Sequence, residues 1–246
     1  MRLTRAMDRG LRRPPRPPAP TKLWVSDIGR CPRAVMFRCL GTYEVTHPFD
    51  VGLLDVMQLG QHLENASAEL LARDVGAENI ERDVRVGNHL WSGRIDFLLR
   101  TPDGAIIVEH KATGANWWDY NAELPKLHHM AQALLYQKLM AESCGETLTT
   151  RLLYRAWHKR AEFEVSDEGQ YMLALGYVDG HDGGVSRRRN FNLTTERHTL
   201  EHLYQGKELP DKPWYDPTIP DAACCFKGDP SCLYYGHCWE YHETAS

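Results

Sequence analysis

Residues 105–111 read Ala-Ile-Ile-Val-Glu-His-Lys, an apolar run that ends on a carboxylate and, two positions on, an ammonium. The preceding segment, 93–99, reads Gly-Arg-Ile-Asp-Phe-Leu-Leu, with Asp96 inside an otherwise apolar stretch. Asp103-Gly104 lies between them and predicts a tight turn, so the two segments form a hairpin of buried strands. Side chains alternate along a strand, so Glu109 and Lys111 share one face. Asp96, Glu109 and Lys111 are therefore crowded together at one end of an apolar hairpin. Burying such groups is unfavourable unless they are paired. A divalent cation satisfies the carboxylates, and oxygen donors favour a hard ion such as Mg²⁺ or Mn²⁺. The lysine then has a role beside a water or a phosphate. The plainer alternative for Glu-x-Lys is an exposed ion pair on a hairpin.

The remaining pattern supplies helices on either side of these strands. Helix periodicity is expected from Ser26 to Gly41 and over 50–75, with Gly76 closing the second helix. Strands are expected at 80–86, 90–100 and 105–111, a helix at 123–143, and strands at 147–157 and 161–166. The Gly- and Arg-rich stretch 167–192 carries no clear period. Thr194 or Thr195 is expected to cap a short helix ending near Gly206. This order predicts an α/β chain with a mixed sheet flanked by helices. A hydrophobic fraction of 42% and 25% charged residues suit a water-soluble protein with one substantial core. There is no apolar run of membrane-span length and no signal-peptide core, and the cysteines read as thiols of a cytoplasmic protein.

Two further pieces of sequence join the hairpin. Gly60-Gln61-His62-Leu63-Glu64 places a carboxylate four residues after a glycine, and Gln132 and Tyr136 stand at i and i+4 on one helix face. His62 and Glu64 lie roughly 200° apart around a helix, so only one of them faces a shared site, and the offset from Gly60 favours Glu64. His62 reads as a surface or packing histidine. In this order the motifs resemble the PD-(D/E)XK nuclease superfamily, in particular its RecB-like branch. The resemblance covers residues 60–136 and implies a restriction-endonuclease-like core. It implies that Glu64, Asp96, Glu109 and the His110 carbonyl hold one or two Mg²⁺ or Mn²⁺ ions. Lys111 is then expected to position the attacking water, and Gln132 and Tyr136 to orient Lys111 or the substrate. Many relatives carry histidine where this chain has Glu64.

The cysteines bear on the same resemblance. Cys31 lies near the start, and the tail holds Cys224, Cys225, Cys232 and Cys238. One distant and three closely spaced thiolates suit either a structural zinc or an iron–sulfur cluster. The CRISPR-associated RecB-like exonucleases and AddB-type nuclease domains carry one cysteine before the core and three after it. Similarity to them implies a [4Fe–4S] cluster on Cys31, Cys225, Cys232 and Cys238, with zinc as the alternative occupant. The spacing departs from their pattern before Cys232, which leaves Cys224 as an alternative to Cys225. Cys39 and Cys144 read as small buried residues within helices. Residues 26–41 and 210–246 are thus expected to form the cysteine subregion of a single nuclease domain, 23–246.

Residues 1–22 hold seven basic residues against Asp8 alone, +6, leaving −10 for residues 23–246 of a chain whose net charge is −4. With five prolines in the same stretch, this reads as an extended disordered arm, either a solvated tail or a contact for a polyanion. Trp117, Trp118 and Tyr120 suit base stacking or a packed loop. The expected activity is a metal-dependent DNA exonuclease acting on single-stranded ends, in recombination, repair, phage recombination or CRISPR adaptation. An integrase or recombination protein is the expected protein partner, and no membrane is. The competing class is a non-catalytic nuclease-fold subunit that binds DNA or protein.

Overall fold

The computed structural model describes residues 22–41, 51–113, 124–145, 148–179 and 184–210. Residues 1–21 of the basic arm, Trp117, Trp118 and Tyr120, and Cys224, Cys225, Cys232 and Cys238 lie outside these residues. The chain divides into two compact units. One contains residues 23–29 and 60–201, and it carries the sheet and every residue of the hairpin. The other contains residues 30–59 and the segment from His202 onward.

In order, the elements are β1 (Leu23–Trp24), α1 (Pro32–Leu40), α2 (Val51–Val75), β2 (Ile80–Gly87), β3 (Trp91–Thr101), β4 (Gly104–Ala112), α3 (Leu127–Cys144), β5 (Leu148–Arg155), β6 (Arg160–Asp167), β7 (Tyr171–Val178), β8 (Val185–Asn190) and α4 (Leu193–Gly206). The fold is mixed α/β, as the sequence predicts. The eight strands among the described residues form one mixed sheet in the order β1-β3-β4-β5-β6-β7-β8, with β2 on the other edge of β3. The β1–β3 and β4–β5 pairs are parallel, and every other pair is antiparallel.

Two helices cover the faces of the sheet next to the hairpin. Ala68 of α2 packs with Phe97, Leu99 and Val108, joined by Leu71, Val75, Ile106 and Leu153. The opposite side chains of the same strands, Leu98, Ile107, Leu152, Tyr154 and Phe163, are fully buried on the side of α3. From Met130 to Tyr136 every residue of α3 is buried. A helix buried on all sides belongs to a core, and here the only long polar side chains in that run are Gln132 and Tyr136.

Several local expectations shift. The hairpin turn is Pro102-Asp103, because Gly104 already pairs with Thr101. α1 begins at Pro32 rather than Ser26: Ser26 sits in a 3-10 turn at Val25–Asp27, and proline is favoured in the first helical turn. Gly41 ends α1 in the left-handed conformation. Asn192, not Thr194 or Thr195, caps α4, its Oδ1 accepting the Thr195 N–H at 2.8 Å. The stretch 167–192 contributes two strands, β7 and β8. Cys39 is buried as expected, whereas Cys144 is exposed at the last position of α3, with its thiol on the Met140 carbonyl. Among the described residues, no helix is long and apolar enough to cross a membrane.

Candidate active site

Strand β3 has β2 along one edge, and its other edge is shared. β1 pairs with Trp91 and Ser92, and β4 pairs with Phe97 to Thr101. Residues 93–96 lie between these two ladders, so β3 and β4 fork there. Side chains close the fork. Asp96 Oδ2 accepts the backbone N–H of His110 at 2.8 Å, taking the place of a ladder bond. The Tyr136 hydroxyl accepts the N–H of Arg94 at 3.4 Å. On the β2 edge the pairing also skips this level, passing from Arg82↔Phe97 to Val84↔Ile95, with Asp83 between them at φ 55°. A non-glycine residue in the left-handed region is uncommon, and aspartate tolerates it better than most.

Gly93 explains how a tyrosine fits against a strand. A Cβ built there would lie 2.6 Å from Tyr136 Cε1 and 2.7 Å from Val25 Cγ2. Glycine inside a strand marks such close approaches. Gly93→Ala is therefore expected to displace the Tyr136 ring and lower stability by about 1–3 kcal/mol. Chemical denaturation checks this, and unchanged stability would mean the ring yields freely.

Glu109 and Lys111 face α3 as the alternation predicts. Lys111 Nζ donates to Glu109 Oε1 at 2.5 Å and to Gln132 Oε1 at 3.1 Å, and Gln132 Nε2 donates to the Tyr136 hydroxyl at 3.4 Å. One chain of contacts thus runs from Glu109 through Lys111 and Gln132 to Tyr136 and on to the backbone of β3. The pair is not an exposed surface bridge, because the Glu109 side chain is only 3% exposed. Its second oxygen, Oε2, is buried with no hydrogen-bond partner among the described residues. A native fold leaves few such atoms unsatisfied.

The electrostatics match this geometry. Burial, and then the neighbouring Glu109, push the Asp96 carboxyl up to about 8. Burial raises Glu109 as well, against the pull of Lys111. Glu64 adds to both shifts through its charge. Its carboxylate accepts a hydrogen bond from Gln61 Nε2 at 3.1 Å, and His62 is exposed, as the helix geometry predicts. Among the described residues no three His, Cys, Asp or Glu side chains form a ready metal-binding group, so Glu64 is a neighbour of the two carboxylates and not part of a closed shell with them.

The side chain of His110, for which the sequence suggested only a carbonyl role, points to the other face of the sheet. Its Nε2 lies 3.0 Å from Ser67 Oγ, and its ring meets Phe97 edge-on. Arg155 Nη1 donates to Ser67 Oγ at 2.8 Å and to the Leu63 carbonyl at 3.4 Å. Burial, with Arg155 and Lys111 nearby, brings the imidazole down to about 4 and keeps it neutral. Ser67, Arg155 and Gly93 are the site residues that the sequence reading missed. Ser67 lies one helical turn beyond Glu64 on the same face, and Gly93 opens an apolar strand; these were the available signals.

No protein-family model matches the chain, and no curated protein matches it.

Cys31, the expected first ligand of the cluster, is the N-cap residue of α1 and is buried. It belongs to the unit that does not carry the hairpin.

Proposed function

We propose that the chain is a metal-dependent DNA exonuclease of restriction-endonuclease-like fold that hydrolyses phosphodiester bonds from single-stranded ends. The observation that carries the reading is the fork of β3 and β4. Two buried carboxylates stand there, one with an unsatisfied oxygen, beside a lysine fixed between Glu109 and Gln132.

The residues fit a hard divalent cation. Glu109 Oε2 lacks a partner among the described residues, burial raises both carboxyls and so penalises their charged forms, and the donors are oxygens. Asp96, Glu109, the His110 carbonyl and, with a rotation of its side chain, Glu64 would hold Mg²⁺ or Mn²⁺. Such an ion supplies Lewis acidity and a nucleophilic water at neutral pH. The protein's own groups do the rest. Lys111 gives two of its three N–H bonds to Glu109 and Gln132, and the third would serve an incoming water or phosphate oxygen. Tyr136 braces Gln132 and ties it to β3. Burial raises the Tyr136 phenol well above its usual value, so it stays a neutral hydrogen-bonding group. In-line attack by water leaves a 5′-phosphate and a 3′-hydroxyl.

The test is degradation of end-labelled single strands by anaerobically purified protein with Mg²⁺ or Mn²⁺. A ladder shortening from one end is the expected result, and intact strands under all conditions would reject the reading. The cysteine centre has its own readout. The full chain is expected to be brown, with about four irons per chain. Cys31→Ser should lose the colour and the iron, while Cys144→Ser, exposed at the end of α3, should keep both. One zinc per chain and no colour would replace the iron assignment.

A further inference from the structure

Glu64 sits on a turn of α2 that is tied to the sheet on both sides. Arg155 Nη1, at the end of β5, donates to the Leu63 carbonyl at 3.4 Å and to Ser67 Oγ at 2.8 Å. These acceptors belong to the residue just before Glu64 and to the residue three beyond it. Ser67 Oγ in turn lies 3.0 Å from His110 Nε2, and both residues are buried. Arginine can only donate, so the Ser67 oxygen accepts from Arg155 and keeps its hydrogen for the histidine ring. His110 is thus held twice, its ring by Ser67 and its backbone N–H by Asp96 at 2.8 Å. One turn before Glu64 the helix approaches β4 again. A Cβ built on Gly60 would lie 3.4 Å from Ala112 Cβ. Glu64 therefore stands between two contacts of α2 with β4, at Ala112 and at His110.

We propose that Arg155, Ser67 and the His110 imidazole are positioning residues for a divalent cation. They set the Glu64 turn of α2 and the His110 peptide of β4 against each other, so that both can serve one ion. The inference rests on the cation-dependent reading of the site given above. Ligands bind an ion well when an outer layer of hydrogen bonds fixes their orientation. Here one donor belongs to a helix and the other to a strand. The Glu64 carboxylate accepts from Gln61 on its own helix, which fixes no distance to β4. The alternative is a cluster that only satisfies buried polar groups. Arg155 separates the two. Its charge, on Coulomb's law alone, opposes a nearby cation. Removing that charge should tighten cation binding unless the hydrogen bonds of Arg155 are what hold the ligands in place. Charge and positioning therefore predict opposite signs.

The experiment is titration of the full chain with Mn²⁺, the free ion being read by its electron paramagnetic resonance signal. Glu109→Gln strikes the site itself and marks the share of binding that belongs there. Arg155→Met and Ser67→Ala are each expected to weaken that binding about ten-fold. Arg151→Met is the control on the same strand, where the arginine engages Glu162 and Glu164, and it should bind as the parent does. Cleavage by Arg155→Met and Ser67→Ala should need about ten-fold more Mn²⁺ and recover at saturating ion, which loss of a catalytic group would not allow. Melting curves in EDTA establish that the variants are folded. Ser67→Ala removes a single oxygen atom and carries the test if Arg155→Met unfolds. If the parent binds Mn²⁺ at the site but the folded variants bind it as tightly or more tightly, this inference falls and the cation reading stands. If the parent binds no Mn²⁺, or Glu109→Gln binds it as the parent does, both fall together.

Discussion

Lys111→Ala is expected to reduce cleavage of single-stranded DNA at least about a hundred-fold, the scale of losing a positioned proton-transfer or charge-stabilising group, and to leave the chain folded. Removing one partner of a buried ion pair ordinarily costs about 3–5 kcal/mol, because the other charge is stranded. Here the stranded groups have another way out. Lys111 lowers both the Asp96 and Glu109 carboxyls, so without it they rise further and take up protons. The variant then keeps its fold as a neutral, inactive site. Glu109→Ala should be equally inactive for a different reason, having lost the carboxylate with the free oxygen. Activity measurements paired with thermal melts separate these outcomes. Wild-type cleavage by either variant would remove the fork from the mechanism.

The second large effect is a dependence of stability on pH that a divalent cation abolishes. Asp96 titrates near 3.8 when unfolded and at about 8 when folded. Between those values the folded state holds a proton that the unfolded state releases, so stability falls as pH rises. His110 acts in the opposite sense, with 6.5 as its ordinary value and about 4 in the fold. Below 6.5 the unfolded state binds a proton that the folded state refuses, so stability rises with pH over that window. The two contributions offset each other from about 4 to 6.5, and the Asp96 contribution is unopposed by His110 from 6.5 to about 8. Glu109, also raised by burial, acts in the same sense as Asp96. With the cation chelated, the melting temperature should therefore fall between pH 6.5 and 8, and Mn²⁺ should raise it more at pH 8 than at pH 6.5. A flat profile in chelator would show that the carboxyls ionise without penalty.

Much of this site was legible from residue order, and the reason is alternation. Once 105–111 is a strand, Glu109 and Lys111 must share a face, and i, i+4 spacing puts Gln132 beside Tyr136 on its helix; the contacts through Lys111 follow. The fork was not legible. Nothing in the apolar pattern of 91–101 says that β1 and β4 divide one edge of β3, since that depends on where Leu23 and Trp24, far away in sequence, attach. The Ser67–His110–Arg155 contacts were hidden for the same reason, as they join three elements across the back of the sheet. β7 and β8 were missed because their exposed faces carry Arg188, Leu175 and Tyr177 where a sharp polar alternation was sought. The cap of α4 fell to Asn192 because an asparagine just ahead of two threonines competes for the same role, and local sequence does not rank them.

Two strands joined by a backbone ladder lie about 4.8 Å apart, whatever their side chains. At residues 93–96 that rule is suspended: the Asp96 carboxylate spans the opening between β3 and β4, and a phenol from α3 holds the β3 backbone. The separation of the two strands here is thereby handed from the repeat of the sheet to the volumes of Gly93, Val25 and Tyr136. Under the proposed function, choice among ions of different radius would be a matter of packing, adjustable by residues that touch neither ion nor substrate.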